Sequence, residues 1–264
     1  MRWEVVIEMA RTDTLGHFLT DVADAIRTKK GSEDTIQASN FDTEIENLPS
    51  GGGKYQPRWL RFTYYAGTDL DYETQNLDTS LLTTMDNMFY GCQYLVSLDL
   101  SSFDFSSTTS MYTMFYSCGS RATEFTVNFG NTDVSNVNTL GGCFQSCSTL
   151  KHITMPNADI TGNFSMVQCF QYCTALETAD LSKIKILSGN GTIDVRWLFS
   201  GCSSLQKADI RNMDTSRFNY YTNMLDNVPT TCEIIVGTDT DKSWFATKYA
   251  SYTNVKTVEE YEAE

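Results

Sequence analysis

Apolar and polar positions along this chain repeat on a long period. Met88-Phe-Tyr-Gly-Cys92 returns as Met114-Phe-Tyr-Ser-Cys118, Cys143-Phe-Gln-Ser-Cys147, Cys169-Phe-Gln-Tyr-Cys173 and Leu198-Phe-Ser-Gly-Cys202. A worn copy, Met224-Leu-Asp-Asn-Val228, closes the series. The aromatic position steps from Phe89 through Phe115, Phe144, Phe170 and Phe199 to Leu225 at intervals of 26, 29, 26, 29 and 26. A fixed period in this range marks a stacked-repeat solenoid.

Each copy opens near an Asp-x-Ser or similar turn, as in Leu77-Asp-Thr-Ser80, Phe103-Asp-Phe-Ser106, Thr132-Asp-Val-Ser135 and Met213-Asp-Thr-Ser216. The Met-Phe-x-x-Cys core is read as a short helix. A strand follows, as in Leu95-Val-Ser-Leu-Asp-Leu100, Leu176-Glu-Thr-Ala-Asp-Leu181 and Leu205-Gln-Lys-Ala-Asp-Ile210. The predicted fold is an α/β repeat of about six copies, each with one short strand and one short helix. No single copy can bury its Phe, Cys and Leu against itself, whereas stacked copies seal them in continuous columns.

The flanks carry other patterns. Trp3, Val5 and Ile7 alternate loosely, which predicts a short strand. Leu15, Phe18, Leu19, Val22, Ala23 and Ile26 fall at helical spacing, with Gly31 as the stop. Phe41, Ile45 and Leu48 share one face of a second short helix, opened at Ser39-Asn-Phe41-Asp42. Residues 1–50 are thus read as a small helical module, and 51–57, containing Gly51-Gly-Gly53, as a linker. Residues 58–76 alternate at Leu60, Phe62 and Tyr64 and are read as an amino-terminal cap, since a terminal repeat exposes its core edge. An aromatic ligand site is the sharper alternative there. The solenoid is assigned to 77–236. Residues 237–264 are read as a helix over Asp239–Tyr252, a strand over Val255–Val258 and a frayed acidic tail.

Composition narrows the function. The chain has 264 residues, 19 basic and 33 acidic, with a net charge of −14. That balance argues against nucleic acid, which is held by clustered Lys and Arg, and against anionic membrane surfaces. Solubility alone is the plainer account of the charge. No apolar run approaches the ~18 residues that span a bilayer, so no membrane insertion is expected. Arg2, Glu4 and Glu8 are unlike a leader peptide, and the Asn163 and Asn190 glycosylation patterns are read as chance matches.

Of eight cysteines, five occupy the fifth core position and two, Cys143 and Cys169, replace Met88 and Met114. A residue that exchanges with Met and Val acts as a small apolar packer. Zinc at Cys143/Cys147 and Cys169/Cys173 is the sharper alternative. A structural site needs four convergent ligands, and the repeat already accounts for both columns. Disulfides between copies are the other alternative. His17 and His152 lie near no nucleophile motif, and no phosphate-cradling loop occurs, so no catalytic residue, metal or cofactor is assigned.

Two resemblances bear on identity. Thr14–Gly31 with its Ala-Asp-Ala-Ile-Arg core, followed by Ile36 and Phe41–Ile45, resembles a small module of tail and minor structural proteins of phages of Gram-positive hosts. The recurring Met-Phe-x-x-Cys-x-x-Leu-x-x-Leu-Asp-Leu-Ser, preceded by Asp-x-Ser, is similar to BspA-type leucine-rich repeats of bacterial surface proteins. That resemblance implies one strand per repeat lining a common sheet.

The outward strand positions form the candidate recognition face. One column reads Asp99, Thr126, Thr154, Asp180 and Asp209, flanked by Ser97, Ser101, His152, Thr178, Ser182, Lys207 and Arg211. A solvated sheet without a ligand is the plainer account, and an Asp ladder for calcium lacks clustered oxygen ligands. The resemblances imply a non-catalytic, tail-associated protein, located in the virion and made in the host cytoplasm. Its partners would be tail or baseplate proteins through residues 1–50 and a host surface protein or glycan through the solenoid face; a homo-oligomer is compatible with both. A cytoplasmic inhibitor or decoy and a bacterial surface adhesin are the alternatives.

Overall fold

The structure, a computed structural model, describes residues 79–187 and 191–264 and the backbone of two short strands upstream. The helical readings within 12–50, the linker at 51–57 and most of the 58–76 cap lie outside the described residues. In chain order the strands are β1 (Val6–Met9), β2 (Arg61–Tyr64), β3 (Ser97–Asp99), β4 (Thr126–Asn128), β5 (His152–Thr154), β6 (Ala158–Ile160) and β7 (Phe164–Ser165). They continue as β8 (Thr178–Asp180), β9 (Ile184–Ile186), β10 (Ile193–Asp194), β11 (Lys207–Asp209), β12 (Phe218–Tyr220), β13 (Glu233–Val236) and β14 (Val255–Thr257). Two helices follow the repeats, α1 (Asp239–Lys248) and α2 (Val258–Glu262).

All strand pairs are parallel, and each strand pairs with its counterpart one turn away. The molecule is therefore a parallel β-solenoid of about five turns. One side stacks β3–β4 and then β5–β8–β11–β13–β14, a second stacks β6–β9, and a third stacks β7–β10–β12. Upstream, β1 pairs in parallel with β2.

The core is the aromatic column. Phe89, Phe115, Phe144, Phe170 and Phe199 are buried and stack in sequence with centroids 5.6, 4.8, 5.4 and 5.5 Å apart. Their planes lie within 17° of parallel. A residue every 26 or 29 positions can lie in such a row only if each interval is one complete turn.

The expected helix in each repeat is not there. Among the described residues the Met-Phe-x-x-Cys segments are tandem β-turns. At the first level Met88, Tyr90 and Cys92 donate locally, to the carbonyls of Met85, Asn87 and Phe89. The intervening Asn87, Phe89 and Gly91 donate instead to Tyr112, Met114 and Tyr116 of the next level, at 3.0, 2.8 and 2.8 Å. An α-helix sends every N–H to its own i−4 carbonyl, so it could not supply this second set. Alternation requires a left-handed residue at two places per level. Asn87, Thr113, Gly142, Gln168, Trp197 and Asn223 fill one, and Gly91, Ser117, Ser146, Tyr172, Gly201 and Asn227 fill the other, all at positive φ. Each stands third in its turn, where a type II turn demands φ > 0.

The cysteines fit this lattice. Cys118, Cys147, Cys173 and Cys202 donate S–H to the carbonyls of Phe89, Phe115, Phe144 and Phe170, one level back, at 2.9–3.0 Å. All eight cysteines are free thiols and buried. Burial pushes up the thiols of Cys118, Cys143, Cys147, Cys169, Cys173, Cys202 and Cys232, the last two to about 12.

After Val236 the chain closes the last turn. α1 opens on a capping box between Thr238 and Asp241 and ends at Lys248, short of the expected Tyr252. Phe245 is fully buried, and Trp244 meets Phe218 and Tyr221 edge-on at 5.5 and 5.1 Å. β14 adds to the main sheet through Ile234↔Val255 and Val236↔Thr257. The tail is helical and not frayed: Thr257 and Glu260 form a second capping box.

Candidate recognition faces

The sheet side carries the residues singled out from sequence. Its first outward column pairs Ser97 with Thr126 across β3–β4, and His152, Thr178, Lys207 and Glu233 across the longer sheet. Its second pairs Asp99 with Asn128, and Thr154 with Asp180 and Asp209. Thr126 thus stands level with Ser97, not with Asp99 as expected. The cause lies between Cys118 and Phe125, where that level is longer and its inward residues fall at Phe125, Val127 and Phe129. Asn128, which takes the Asp99 level, went unrecognised.

Much of this face is occupied by its own chain. Asp99, Asn128, Asp180 and Asp209 each accept an N–H two residues on, from Ser101, Gly130, Ser182 and Arg211, at 2.9–3.2 Å. These are Asx turns, in which a short side chain holds the corner after a strand. Asp104, Asp133 and Asp214 do the same for Ser106, Ser135 and Ser216, which is the physical basis of the recurring Asp-x-Ser. Arg211 also grips the Asp209 carboxylate in bidentate fashion, Nε donating to Oδ1 at 3.0 Å and Nη2 to Oδ2 at 2.7 Å, and that carboxylate raises its pKa. α2 then covers the end of the face. Tyr261 lies against Lys207, whose ammonium is 4.1 Å from the ring centroid, and Glu262 pairs with Arg211 at 3.2 Å. Thr126, Asn128, His152 and Thr154 stay exposed, with His152 Nδ1 bonded to Thr178 Oγ1 at 2.8 Å.

The tandem turns build a second outward surface that sequence reasoning missed. Tyr90 and Tyr116 stack at 4.7 Å and 7°. Gln145 and Gln168 both donate through Nε2 to Gln171 Oε1, at 2.8 and 2.9 Å. Tyr112 and Tyr172 are 50% and 52% exposed. Each lies against a glycine of the next level: a Cβ on Gly141 would sit 3.0 Å from the Tyr112 ring, and one on Gly201 2.6 Å from the Tyr172 ring. Arg196 is held by Asp194 at 2.7 Å and lies over Trp197 and Tyr220, 5.7 and 5.2 Å from their centroids.

A family profile described as "Mycoplasma protein of unknown function, DUF285" matches residues 60–157 and 119–236, together more than half of the sequence. The chain belongs to the DUF285 family. The matched span takes in every level of the Phe89–Leu225 column, so the family signature coincides with the stacked turns. No curated protein and no solved structure matches this DUF285 chain. Among its described residues no helix is long and apolar enough to cross a membrane, and no group of three or more His, Cys, Asp or Glu is placed to hold a metal.

Proposed function

We propose that this DUF285 chain is a non-catalytic recognition protein of a phage tail, with a leucine-rich-repeat solenoid of the BspA type presented to the host cell surface. The observation that carries the recognition half is the lattice itself. Backbone bonds run from level to level along the whole turn side, so outward side chains stand on a rigid, regularly spaced support. Repeat proteins use such extended surfaces to bind macromolecules. The carboxylates that would otherwise suggest chemistry, such as Asp99, Asp180 and Asp209, are engaged in holding turns. The tail half rests on the resemblance of Thr14–Ile45 to a module of phage structural proteins, which would attach residues 1–50 to tail or baseplate proteins.

A family described from Mycoplasma favours a second reading, a bacterial surface adhesin. Mass spectrometry of purified virions separates the two. The tail reading expects this chain at stoichiometric level in the particle; its recovery only from the producing cell, on the surface or in the cytoplasm, overturns that reading.

A further inference from the structure

We propose that the turn side of the solenoid, not the sheet side, is the binding surface, and that its ligand is an extended neutral glycan. This rests on the recognition reading above and names its ligand class. From the level of Tyr112 to that of Trp197, the outward turn positions are aromatic, amide, hydroxyl or glycine, with one aliphatic residue, Val167, and one charged pair, Arg196 with Asp194 at the edge of its turn. Arg196 is neutralised by Asp194. In a chain of net charge −14 this is a strip without net charge, which offers a cationic partner no local attraction.

The strip combines two kinds of group. Tyr112 and Tyr172 offer ring surface, half exposed and propped from behind by Gly141 and Gly201. Large flat rings with few rotatable bonds give contact area at low entropy cost. The C–H faces of a pyranose stack on such rings. On the same turn side, the half-buried Gln145 and Gln168 converge on the buried Gln171 and supply amide groups suited to sugar hydroxyls. Successive levels of a parallel stack lie about 4.8 Å apart, close to the rise of one pyranose along an extended chain. Tyr112 and Tyr172 stand two levels apart and at different positions of the turn, so a chain that met both would cross the strip obliquely. The sheet side offers no comparable strip, since its aspartates hold turns and α2 lies over Lys207 and Arg211.

The test uses the full chain in affinity electrophoresis and calorimetry, with chitohexaose and laminarihexaose as soluble probes and their parent polysaccharides in the gel. The expected result is retardation by at least one neutral polymer. Tyr112→Ala and Tyr172→Ala should each weaken binding about tenfold or more, whereas Thr154→Ala on the sheet side should change nothing. Both tyrosines are half exposed, so circular dichroism should be unaltered. Absence of retardation by every neutral polymer overturns the proposal, as does binding that survives the Tyr112→Ala/Tyr172→Ala double variant. Pull-down on host envelopes with and without protease distinguishes this failure from failure of the recognition reading. Protease-sensitive capture sinks the glycan and keeps recognition, whereas no capture at all sinks both.

Discussion

The Sγ of Cys118 donates to the carbonyl of Phe89, 29 residues earlier, at 2.9 Å. That carbonyl also accepts the Cys92 N–H at 3.1 Å, so one oxygen closes its own turn and receives the next level. The same pairing recurs at Cys147, Cys173 and Cys202. It explains why cysteine, small enough for the stack and able to donate weakly, holds this column. At the last level Val228 stands in its place, and no sulfur reaches back to Phe199.

Cys173→Val should therefore destabilise although it conserves apolar bulk. The Phe144 carbonyl keeps its local partner and loses the S–H, so a loss of about 1 kcal/mol is expected. Cys173→Ala adds a void and should cost more. Urea melts at 25 °C measure both; a Val variant indistinguishable from the parent would mean that sulfur only fills space.

Phe144 sits at the middle of the column, stacked on Phe115 at 4.8 Å and Phe170 at 5.4 Å. Phe144→Ala removes both contacts from a fully buried site and should cost about 3–5 kcal/mol. Leu225→Ala, at the end of the row, should fall toward the ~2 kcal/mol end of the leucine range. Equal losses at the two sites, in the same urea melts, would contradict a stack in which neighbours on both sides contribute.

The phenylalanine column was legible because its period is a property of order alone. The turns were not. Their left-handed positions are filled by residues as different as Asn87, Thr113, Gln168 and Trp197, so no residue type signals them, and Met-Phe-x-x-Cys spaces its apolar groups as a short helix would. The Thr126 register was lost because the long segment between Cys118 and Phe125 conceals where β4 starts. Arg217 gave no signal either. It is buried, and its guanidinium reaches the carbonyls of Leu187, Gly162 and Gly191, a contact between levels that only the folded corner creates. Asp-x-Ser, by contrast, is legible as a turn, since an Asx turn needs only its own neighbours.

Ser146 lies at φ 63°, a conformation that costs an ordinary residue roughly 1–2 kcal/mol. Ser146→Gly removes that strain, but glycine loses more chain entropy on folding, by roughly 0.5–1 kcal/mol. The two effects nearly cancel, so the glycine variant should melt close to the parent. Ser146→Val adds β-branching to the same backbone and should lose at least 1–2 kcal/mol. Thermal melts by circular dichroism decide this; a valine variant as stable as the glycine variant would refute the strained-turn assignment.

Tyr252 takes over at the end of the stack. Its hydroxyl donates to the carbonyls of Leu225 and Val228, at 2.7 and 2.9 Å, in a buried position. Tyr252→Phe leaves both acceptors without that donor and should cost about 1–3 kcal/mol. Native-state hydrogen exchange should show the loss first around Leu225–Val228. Uniform loss across every level would argue that the closing segment and the stack unfold as one unit.

The buried thiols make stability depend on alkaline pH. Burial raises Cys118, Cys143, Cys147, Cys169 and Cys173 above the ordinary thiol value, and Cys202 and Cys232 to about 12. Each thiol keeps its proton in the fold at a pH where the unfolded chain has released it. Above the unfolded value near 9 the native state binds more protons, so stability falls as pH rises. The contribution is fully present below pH 9 and is lost progressively toward pH 12, each tenfold gain in a thiol's proton affinity being worth about 1.4 kcal/mol. Urea midpoints should therefore be level from pH 6 to 8 and drop steeply from pH 9 to 11. The Cys147→Val/Cys173→Val variant should start lower and drop less. A parent profile that stays flat to pH 11 would show that these sulfurs are not sealed from water, and with them the seam between the levels.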